Sequence, residues 1–446
     1  MFAILSLVLA GAATLRSEAP PIDGTLPEDY LPGLRALLTM AVERSPSTIS
    51  ASISVAQADA ARIGGDAVLY PSLSLSTDYA VNTQSSGASS STQKGLFYSG
   101  SLIQPIFQFG ALKDSAKIGQ IGLKIAQRQY ADAYRTLAVS IREQYMALVY
   151  KKIIMRNMQF GLKISQESLA AEQARFESGS SSEATLGTAK MVVEQHQLDA
   201  DKAEEEYRYG KRVFTRLVGI DDLDDESIPI DLPHPDYSAS LADAILTGFV
   251  GDGVESTFQS QVYQMSIQQQ DLNYSIAKVR LLPKVNASAS IGYQNYITGA
   301  ASQVGSQFEA YSAVASWTIF DGFATKSAKL SALLAKRMAE RNRKTYIDAS
   351  IDMMTYMRHE LDFSSRAMSI AEVQYSLIEA GVKRLSQDKV LGYASQASID
   401  TGTLDLYGYT SQRAYARSDY LDRWTEFVSL AGVDPALDNI SPRYVR

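Results

Sequence analysis

The chain of 446 residues contains no cysteine. This absence excludes a disulfide framework, a thiolate metal site and an anchor attached through a lipid-modified cysteine. Histidine is scarce as well, and His196, His234 and His359 lack the spacing at which metal ligands recur. The sequence also lacks a phosphate-binding loop, a dinucleotide fingerprint and a hydrolase nucleophile motif. Together these absences predict that the chain is not an enzyme and holds no metal or other cofactor.

A surplus of positive charge is also missing. Lys and Arg number 42 against 49 Asp and Glu, which gives a formal net charge of −7. Proteins that bind nucleic acid through its phosphates carry a basic patch or stripe, and this balance offers none. We therefore expect no nucleic-acid partner.

Long hydrophobic runs are missing too, since no 18-residue apolar segment could cross a bilayer as a helix, which takes roughly 20 residues. The apolar run of residues 1–13 is shorter and ends in Ala12 and Ala13, which is typical of a secretory signal peptide. We predict a signal peptide over residues 1–13 and a linker over 14–33. Because no Lys or Arg precedes the run, a start further upstream stays open. If the chain spans a membrane, it does so with strands.

Proline is absent from two long regions, residues 106–228 and 284–434. Proline is expelled from helix interiors because it lacks the N–H and clashes with the preceding turn. Leu137, Ile141 and Tyr145 recur at helical spacing in the first region, and the second region has a similar stripe. A continuous helix from residue 111 to 176 would be about 100 Å long. Such a helix needs lateral partners along its length, as in a coiled coil or a helical barrel.

The second of these stripes runs through Met354 and Leu361. His359 falls to its side, and the position one turn beyond Met354 is Arg358. We expect the stem of Arg358 to lie along apolar neighbours while its guanidinium reaches water.

The chain carries an internal duplication. The segment 70–73 (YPSL) matches 282–285 (LPKV) at an offset of 212, and later landmarks match at 213, among them Gly179 with Gly392. A period of this length indicates a duplicated half-molecule. The predicted parts are a first repeat (34–219), an acidic linker with prolines (220–236), a second repeat (237–432) and a C-terminal tail (433–446).

Each repeat is predicted to contain a helix, a β-hairpin and a long helical hairpin. The first helices span about 37–69 and 255–281 and stop before a proline. Alternation of apolar and polar residues then predicts strands, with the polar tracts 82–94 and 297–307 as loops and 308–320 as the last strand. The hairpins cover 70–107 and 283–320, and the helical hairpins cover 111–217 and 323–430.

The segment between the repeats, residues 221–235, holds six acidic residues and three prolines. Like charges on a proline-rich segment predict a solvated connection. A calcium site is the alternative interpretation.

The strands suit a membrane barrel, because about 9 to 11 tilted residues cross a bilayer and one face of each clear strand is apolar. A half-buried soluble sheet is the alternative. Four strands cannot close a barrel alone, since membrane barrels begin at about eight, so several copies of the chain must contribute. Two copies would give eight strands and an interior nearly filled by side chains, whereas three copies would give twelve strands and room for a lumen.

Residues 34–433 contain the same order of features twice: a helix, a proline, a hairpin, a (P/T)-I-F-x-(F/G)-(G/F) turn and a helical hairpin with a G-x-x-S tip. This order resembles the TolC-like outer membrane efflux family. The resemblance implies a fold that is mainly α with a membrane β-barrel part. In it three chains share a twelve-stranded barrel and a twelve-helix periplasmic tunnel. It implies an outer-membrane exit duct for an efflux pump or a type I secretion system. The partners implied are a homotrimer, a periplasmic adaptor, an inner-membrane pump and outer-membrane lipid.

The resemblance also assigns roles to residues. The barrel-to-tunnel turn carries Pro105, Phe107, Gly110, Phe320, Asp321 and Gly322. The tips that contact the adaptor in the family correspond to Gly179, Ser182, Gly392 and Ser395; a plain helix–turn–helix is the alternative. The family often places acidic aperture residues six and nine positions after the second tip glycine, where this chain has Ser398 and Thr401.

Glu183 and Asp400 are the nearest acidic substitutes for those aperture residues, although either could be an ordinary acid of a first helical turn. A second hypothesis for the whole chain is a soluble periplasmic coiled-coil scaffold or adaptor. The alternating strands and the long duplicated helices favour the duct.

Overall fold

The computed structural model describes residues 25–86, 89–298 and 302–445. The predicted signal peptide, residues 1–13, lies outside them. The described chain divides into two compact units, and each contains segments of both repeats. The helical unit comprises residues 25–51, 130–258 and 347–445, and the sheet unit comprises residues 52–129 and 259–346.

Helix α1 (Pro27–Tyr30) and the start of α2 (Pro32–Arg44) lie in residues 14–33, which we predicted to be a linker. The first repeat continues with α3 Pro46–Ala67, α4 Ala111–Glu177 and α5 Glu183–Val218; the hairpin lies between α3 and α4, and one short tip between α4 and α5.

The helices of the second repeat follow the same order, and a 3-10 turn (Asp225–Ser227) precedes them. Their bounds are α6 Ala239–Gly248, α7 Val254–Ser256, α8 Phe258–Val279, α9 Ala324–Val390 and α10 Gln396–Ala431. A π-helical turn (Phe249–Gly253) lies between α6 and α7. A second 3-10 turn (Pro435–Asn439) and the short helix α11 (Pro442–Val445) follow α10. The duplication is visible in the lengths, because α4 and α9 both have 67 residues and α5 and α10 both have 36.

The four strands form one antiparallel sheet in the order β1-β2-β3-β4. They are β1 Ser72–Ser86, β2 Ser89–Phe107, β3 Lys284–Thr298 and β4 Ser302–Ser316. The predicted fold class is confirmed in its mainly helical character, its duplication, its long helical hairpins and its four strands.

Two sequence expectations about the strands were wrong. The polar tracts predicted as loops lie largely within strands, and β4 ends at Ser316 although we predicted it to reach residue 320. Ladder pairing is made by the backbone, so it continues through Ser- and Thr-rich segments that show no apolar alternation.

The helix expected over residues 37–69 is two helices. α2 ends at Arg44, Ser45 is extended with ψ 134°, and α3 begins at Pro46. Proline suits the first position of a helix, where its missing N–H leaves no hydrogen bond unmade. Pro46 is visible in the sequence, but the apolar periodicity on both sides of it led us to predict one continuous helix.

Arg142 of α4 lies at the centre of the helical unit with no exposed side-chain surface. It donates to Glu28 from Nε at 2.8 Å and to Asp434 from Nη1 at 2.6 Å. Burial opposes the charge of Arg142, but the hydrogen bonds and charges of the two carboxylates outweigh burial and raise its pKa. The network therefore joins segments from near both ends of the described chain to α4.

Arg358 of α9 does not extend into water as we expected. Its side chain is 10% exposed and pairs with Asp243 and Asp362, each at 2.7 Å, and its Nη1 donates to the Tyr237 hydroxyl at 3.0 Å. The acidic partner Asp243 comes from α6, far away in sequence, so the local apolar stripe gave no sign of it.

The acidic segment between the repeats is not the free connection that its composition suggested. Most of its acids are exposed, but Ile228 and Leu232 are buried in the helical unit. Asp231 pairs with Arg413 at 3.1 Å, and the Lys152 ammonium donates to the Ile228 carbonyl at 2.7 Å. Two buried apolar residues, an ion pair and a hydrogen bond therefore dock the segment.

Candidate functional site: sheet faces, turn and hairpin tips

One face of the sheet is largely apolar and exposed, with Glu309 of β4 as a charged residue in the row of Leu75. The register places Leu73, Leu102 and Tyr311 in one row across the sheet, and Leu75 lies in the next row. Leu75 is 82% exposed and Tyr311 80% exposed. Large apolar side chains that the described residues leave uncovered mark a surface that faces a partner or lipid.

The opposite face of the sheet is rich in serine. Ser76 and Ser99 share a hydrogen bond of 2.7 Å across β1 and β2, and Ser288 and Ser312 share one of 2.7 Å across β3 and β4. Hydroxyls that pair with each other and remain exposed suit contact with water. The sheet therefore separates an apolar side from a wet side.

The sheet has two outer edges. Within the described residues β1 pairs only with β2, and β4 pairs only with β3. Their outward N–H and C=O groups have no ladder partner in the described part of the chain, and long open edges of this kind are a template for pairing with another chain.

Each strand pair leads into a long helix through a turn with two consecutive residues at positive φ. In the first repeat they are Phe109 (φ 49°) and Gly110 (φ 89°), and in the second they are Gly322 (φ 61°) and Phe323 (φ 70°). Glycine adopts this conformation readily, whereas phenylalanine pays a steric cost. We predicted the freedom of Gly110 and Gly322, but the sequence did not reveal that a phenylalanine takes the other left-handed position in each turn.

Aromatic rings cover both turns. Phe107 contacts Phe109 with ring centroids 4.7 Å apart, and Phe320 meets Phe323 edge to face at 5.5 Å. Pro105 lies at a register shift between β2 and β3, where proline does not interrupt a regular ladder. These contacts give the strained phenylalanines a packing partner.

Asp321 acts at the start of α9. Its carboxylate accepts hydrogen bonds from the Thr325 N–H at 2.8 Å and from the Thr325 hydroxyl at 2.6 Å. These bonds, led by the Thr325 hydroxyl, lower the pKa of Asp321. The residue thus satisfies backbone N–H groups that the helix start leaves without partners.

The first tip, residues 178–182, and the second tip, residues 391–395, share one backbone design. Gly179 (φ 75°) and Gly392 (φ 80°) are left-handed. The N–H of the following residue reaches back to the helix, from Ser180 to the Arg175 carbonyl and from Tyr393 to the Asp388 carbonyl, each at 2.8 Å. This pattern is the Schellman motif, which ends helices at a glycine.

The serines of both tips begin the returning helices. The Ser182 hydroxyl accepts from the Thr185 N–H at 3.2 Å, and the Ser395 hydroxyl accepts from the Ser398 N–H at 3.1 Å. Both are N-caps, the position that serine favours because its oxygen satisfies a free N–H. The G-x-x-S signature is therefore a helix stop followed by a helix start.

The side chains of the two tips differ. Around the second tip Val390, Leu391 and Tyr393 are 87%, 66% and 84% exposed. The first tip has serines at the corresponding surface, and Ser181 donates to the Glu172 carboxylate. We predicted the two tips as equivalent, although the segments LGYAS (391–395) and SGSSS (178–182) already differ in the sequence.

The two acidic candidates occupy different positions. Glu183 lies in the first turn of α5, where the helix dipole favours an acid. Asp400 lies beyond the first turn of α10, where it accepts from the Gln396 amide at 2.6 Å. The dipole explanation therefore fits Glu183 and fails for Asp400, and no contact joins the two carboxylates among the described residues. Thr401 donates to the Ala397 carbonyl at 2.9 Å.

No group of three or more His, Asp or Glu side chains among the described residues is placed to hold a metal ion. None of the described helices combines the length and the apolar character that a bilayer crossing requires.

The comparisons with known proteins agree with this architecture. A family model described as outer membrane efflux protein matches residues 37–212. No curated protein sequence matches the chain. Among solved structures, the Campylobacter jejuni CmeC outer membrane channel aligns with TM-score 0.69 and 13% identity, over 97% of this chain and 94% of that chain.

Two further channels give similar values. The open state of the Neisseria gonorrhoeae MtrE outer membrane channel aligns with TM-score 0.68 and 14% identity, over 90% of this chain and 88% of that chain. The Vibrio cholerae outer membrane protein VceC aligns with TM-score 0.63 and 16% identity, over 92% of this chain and 99% of that chain. The predicted resemblance to the outer membrane efflux family is thus confirmed, with the family's sequence pattern in the first repeat and the fold of its channels in the described chain.

Proposed function

We propose that the chain is one protomer of an outer-membrane exit duct, a passive conduit energised by an inner-membrane partner in an efflux pump or a type I secretion system. The observation that carries this proposal is the four-stranded sheet, which has an exposed apolar face, a serine-rich face and two open edges. That combination fits a wall with lipid on one side and water on the other.

Closure of the wall requires further copies of the chain. Open edges in lipid leave backbone groups unsatisfied, at a cost of several kcal/mol each, so four strands are not viable alone. Three copies supply twelve strands and an aqueous lumen, consistent with the channels that share this fold. The turn at Pro105, Phe107, Gly110 and at Phe320, Asp321, Gly322 then carries each chain from barrel to tunnel.

The tips are the proposed contact with a periplasmic adaptor. Gly179 and Gly392 shape them, and Ser182 and Ser395 fix the start of each returning helix. Glu183 and Asp400 are the proposed acidic groups of a periplasmic aperture. Asp400 is the stronger candidate, because the helix dipole does not account for it.

A soluble scaffold, the alternative, fits less well. It would leave Leu75 and Tyr311 in water along a whole sheet face, at about 25 cal/mol for each Å² of apolar surface. The chain would also need another means of protecting its two strand edges.

A matched pair of variants tests the duct. Leu75→Asp places a charge on the apolar face, whereas Ser74→Asp places the same charge one residue away on the serine face. We expect wild type and Ser74→Asp to sediment with outer membrane, to need detergent for release and to give the mass of a trimer in mild detergent. Leu75→Asp should assemble poorly, because a charged side chain on the lipid face is costly at the bilayer midplane. The proposal would be overturned by a wild-type chain that is soluble without detergent, or by one that is a stable monomer in mild detergent.

A further inference from the structure

A cavity of about 670 Å³ lies within the sheet unit, where the strands meet the helices. Its lining comes from the turn after β2, from α4, from α8, from the start of β3 and from α9. This volume falls within the range of about 300–1,000 Å³ that small-molecule sites occupy. Neither the tips nor the turn residues discussed above account for it.

Small side chains contribute much of the helical lining of the cavity, beside several larger apolar ones. Ala277 of α8, which is buried, and Ala332 of α9 both line it. Ala111, Ala328 and Ala335 also line the space. Alanine at these positions leaves room between helices that larger residues would fill, and the surface that remains is apolar.

The end of the cavity nearest the strands is positively charged. Arg280, just after α8, and Lys284, the first residue of β3, both line it. Within the described residues neither side chain has a hydrogen bond or an ion pair. The Asp321 carboxylate feels the charge of Arg280, but it is already bound by Thr325. Gln108 and Asn273 add amide groups to the same lining.

These features select one class of ligand. Two cationic side chains repel a cation, a free phosphate would leave the alanine wall in water, and a neutral hydrocarbon would leave the exposed Arg280 and the half-buried Lys284 with water as their only partner. We infer that the sheet unit holds a binding site for anionic amphiphiles. The acidic headgroup lies between Arg280 and Lys284, and the apolar chain lies along Ala277 and Ala332.

Such a ligand has two sources, a membrane phospholipid with an anionic head or a free amphiphile in solution. Binding itself does not depend on the proposed duct. Only the further step, that a free amphiphile bound here is cargo in transit, rests on that function.

Photolabelling of the full chain in nanodiscs tests the site. The probe is dodecanoate carrying a diazirine, and the matched probe is the corresponding dodecanol. We expect the acid to label peptides that contain residues 273–284 and 328–335, and the alcohol to label them far less. Equal labelling by both probes would overturn the role of the cations, and labelling confined to other peptides would overturn the site.

Variants separate the two parts of the site. Arg280→Gln with Lys284→Gln should reduce labelling by at least about tenfold, the effect of losing a charge-assisted contact. Ala332→Phe should reduce it by filling the cavity while both cations remain. The control is Lys278→Gln, which removes one positive charge from the last turn of α8; Lys278 lies over the Tyr274 ring at 4.2 Å and does not line the cavity. Unchanged labelling in the double variant, or an equal loss in the control, would overturn the inference.

Two further measurements complete the test. Helicity and oligomer mass of each variant must match wild type, and Ala332→Phe supplies an independent answer if the double variant fails to fold. Nanodiscs of phosphatidylcholine with and without phosphatidylglycerol distinguish the sources. If phosphatidylglycerol competes with the probe, the site binds a lipid headgroup. If phosphatidylglycerol does not compete, the site binds a free amphiphile. If the wild-type protein is photolabelled at this site but has no export activity, the binding site is supported and the proposed duct function is rejected.

Discussion

The two hairpin tips have the same backbone and opposite surfaces. A left-handed glycine, a Schellman hydrogen bond of 2.8 Å and a serine N-cap define both. The first tip then presents hydroxyls, whereas the second presents Val390, Leu391 and Tyr393 to solvent. The two repeats share the residues that shape the chain reversal and differ in the side chains that the tips expose.

The difference has a consequence for docking. Hydroxyls exchange one hydrogen-bond partner for another when they leave water, whereas each large apolar side chain contributes about 1.5–3 kcal/mol on full burial. We therefore expect the second tip to supply most of the affinity for an adaptor, and the first tip to supply orientation.

The largest expected effect acts on the helical unit, which carries both tips. Arg142→Met leaves Glu28 and Asp434 buried without their cation, and the loss of one partner from a buried ion pair destabilises by about 3–5 kcal/mol. Thermal unfolding of the helical unit should shift down, and adaptor crosslinking should fall equally at both tips. The exposed pair Arg208–Glu204 provides the control, since Arg208→Met should change little. A loss restricted to one tip would show that the network does not support both.

The next effect should separate the tips. Leu391→Ser with Tyr393→Ser removes two exposed apolar side chains from the second tip, and Ser180→Ala with Ser181→Ala is the matched change at the first. Loss of about 1.5–3 kcal/mol per side chain predicts at least a tenfold weaker complex for the first variant only. Titration of the trimer with its adaptor measures the dissociation constant. Equal affinities of the two variants would remove the proposed division of labour.

The tip glycines test the shared backbone. An added Cβ would meet no atom within 4 Å at Gly179 or Gly392, so valine costs only the left-handed conformation, about 1–2 kcal/mol. We expect both variants to insert and to trimerise. Gly392→Val should weaken adaptor crosslinking and export more than Gly179→Val, because it also displaces Leu391 and Tyr393. Wild-type crosslinking and export in the double variant would exclude the tips as the docking surface.

A smaller effect should be the same at both tips. Ser182→Ala and Ser395→Ala each remove an N-cap, which costs about 1 kcal/mol. Hydrogen exchange of the Thr185 and Ser398 amides should accelerate by similar factors. Ser395→Asp, which keeps an N-cap oxygen, should restore protection at Ser398. A strongly unequal response would mean that side-chain contacts, beyond the cap, hold one of the tips.

The smallest effect concerns the acids. Glu183→Gln removes an exposed charge in a first turn, and Asp400→Asn removes a charge that the dipole does not explain. If Asp400 lines an aperture, only its variant should reduce the preference of the channel for cations in a planar bilayer. Equal and negligible changes in reversal potential would leave both acids as helix surface residues.

Much of this molecule was readable from its sequence. The absence of proline from two long regions required long helices, because a proline in a helix interior removes a hydrogen bond and clashes with the preceding turn. Alternation required strands, and repetition in register required two similar halves. The glycines and serines of the tips could be found in the same way, since each is selected by a local backbone need.

Other features depended on residues far apart in sequence. The ion pairs of Arg142 and Arg358, the docking of Ile228 and Leu232, and the cavity beside Arg280 all join segments that only folding brings together. Local periodicity specifies which face of a helix is apolar, but not which charge or which small residue lies opposite. The sequence by itself therefore determined which segments are helices and strands and where the tips lie, because these follow from interactions within a few residues, although it misplaced the ends of the strands and the break before Pro46. Only the tertiary structure decided which polar groups are buried and paired, where the cavity lies, and that the phenylalanines of both turns adopt positive φ.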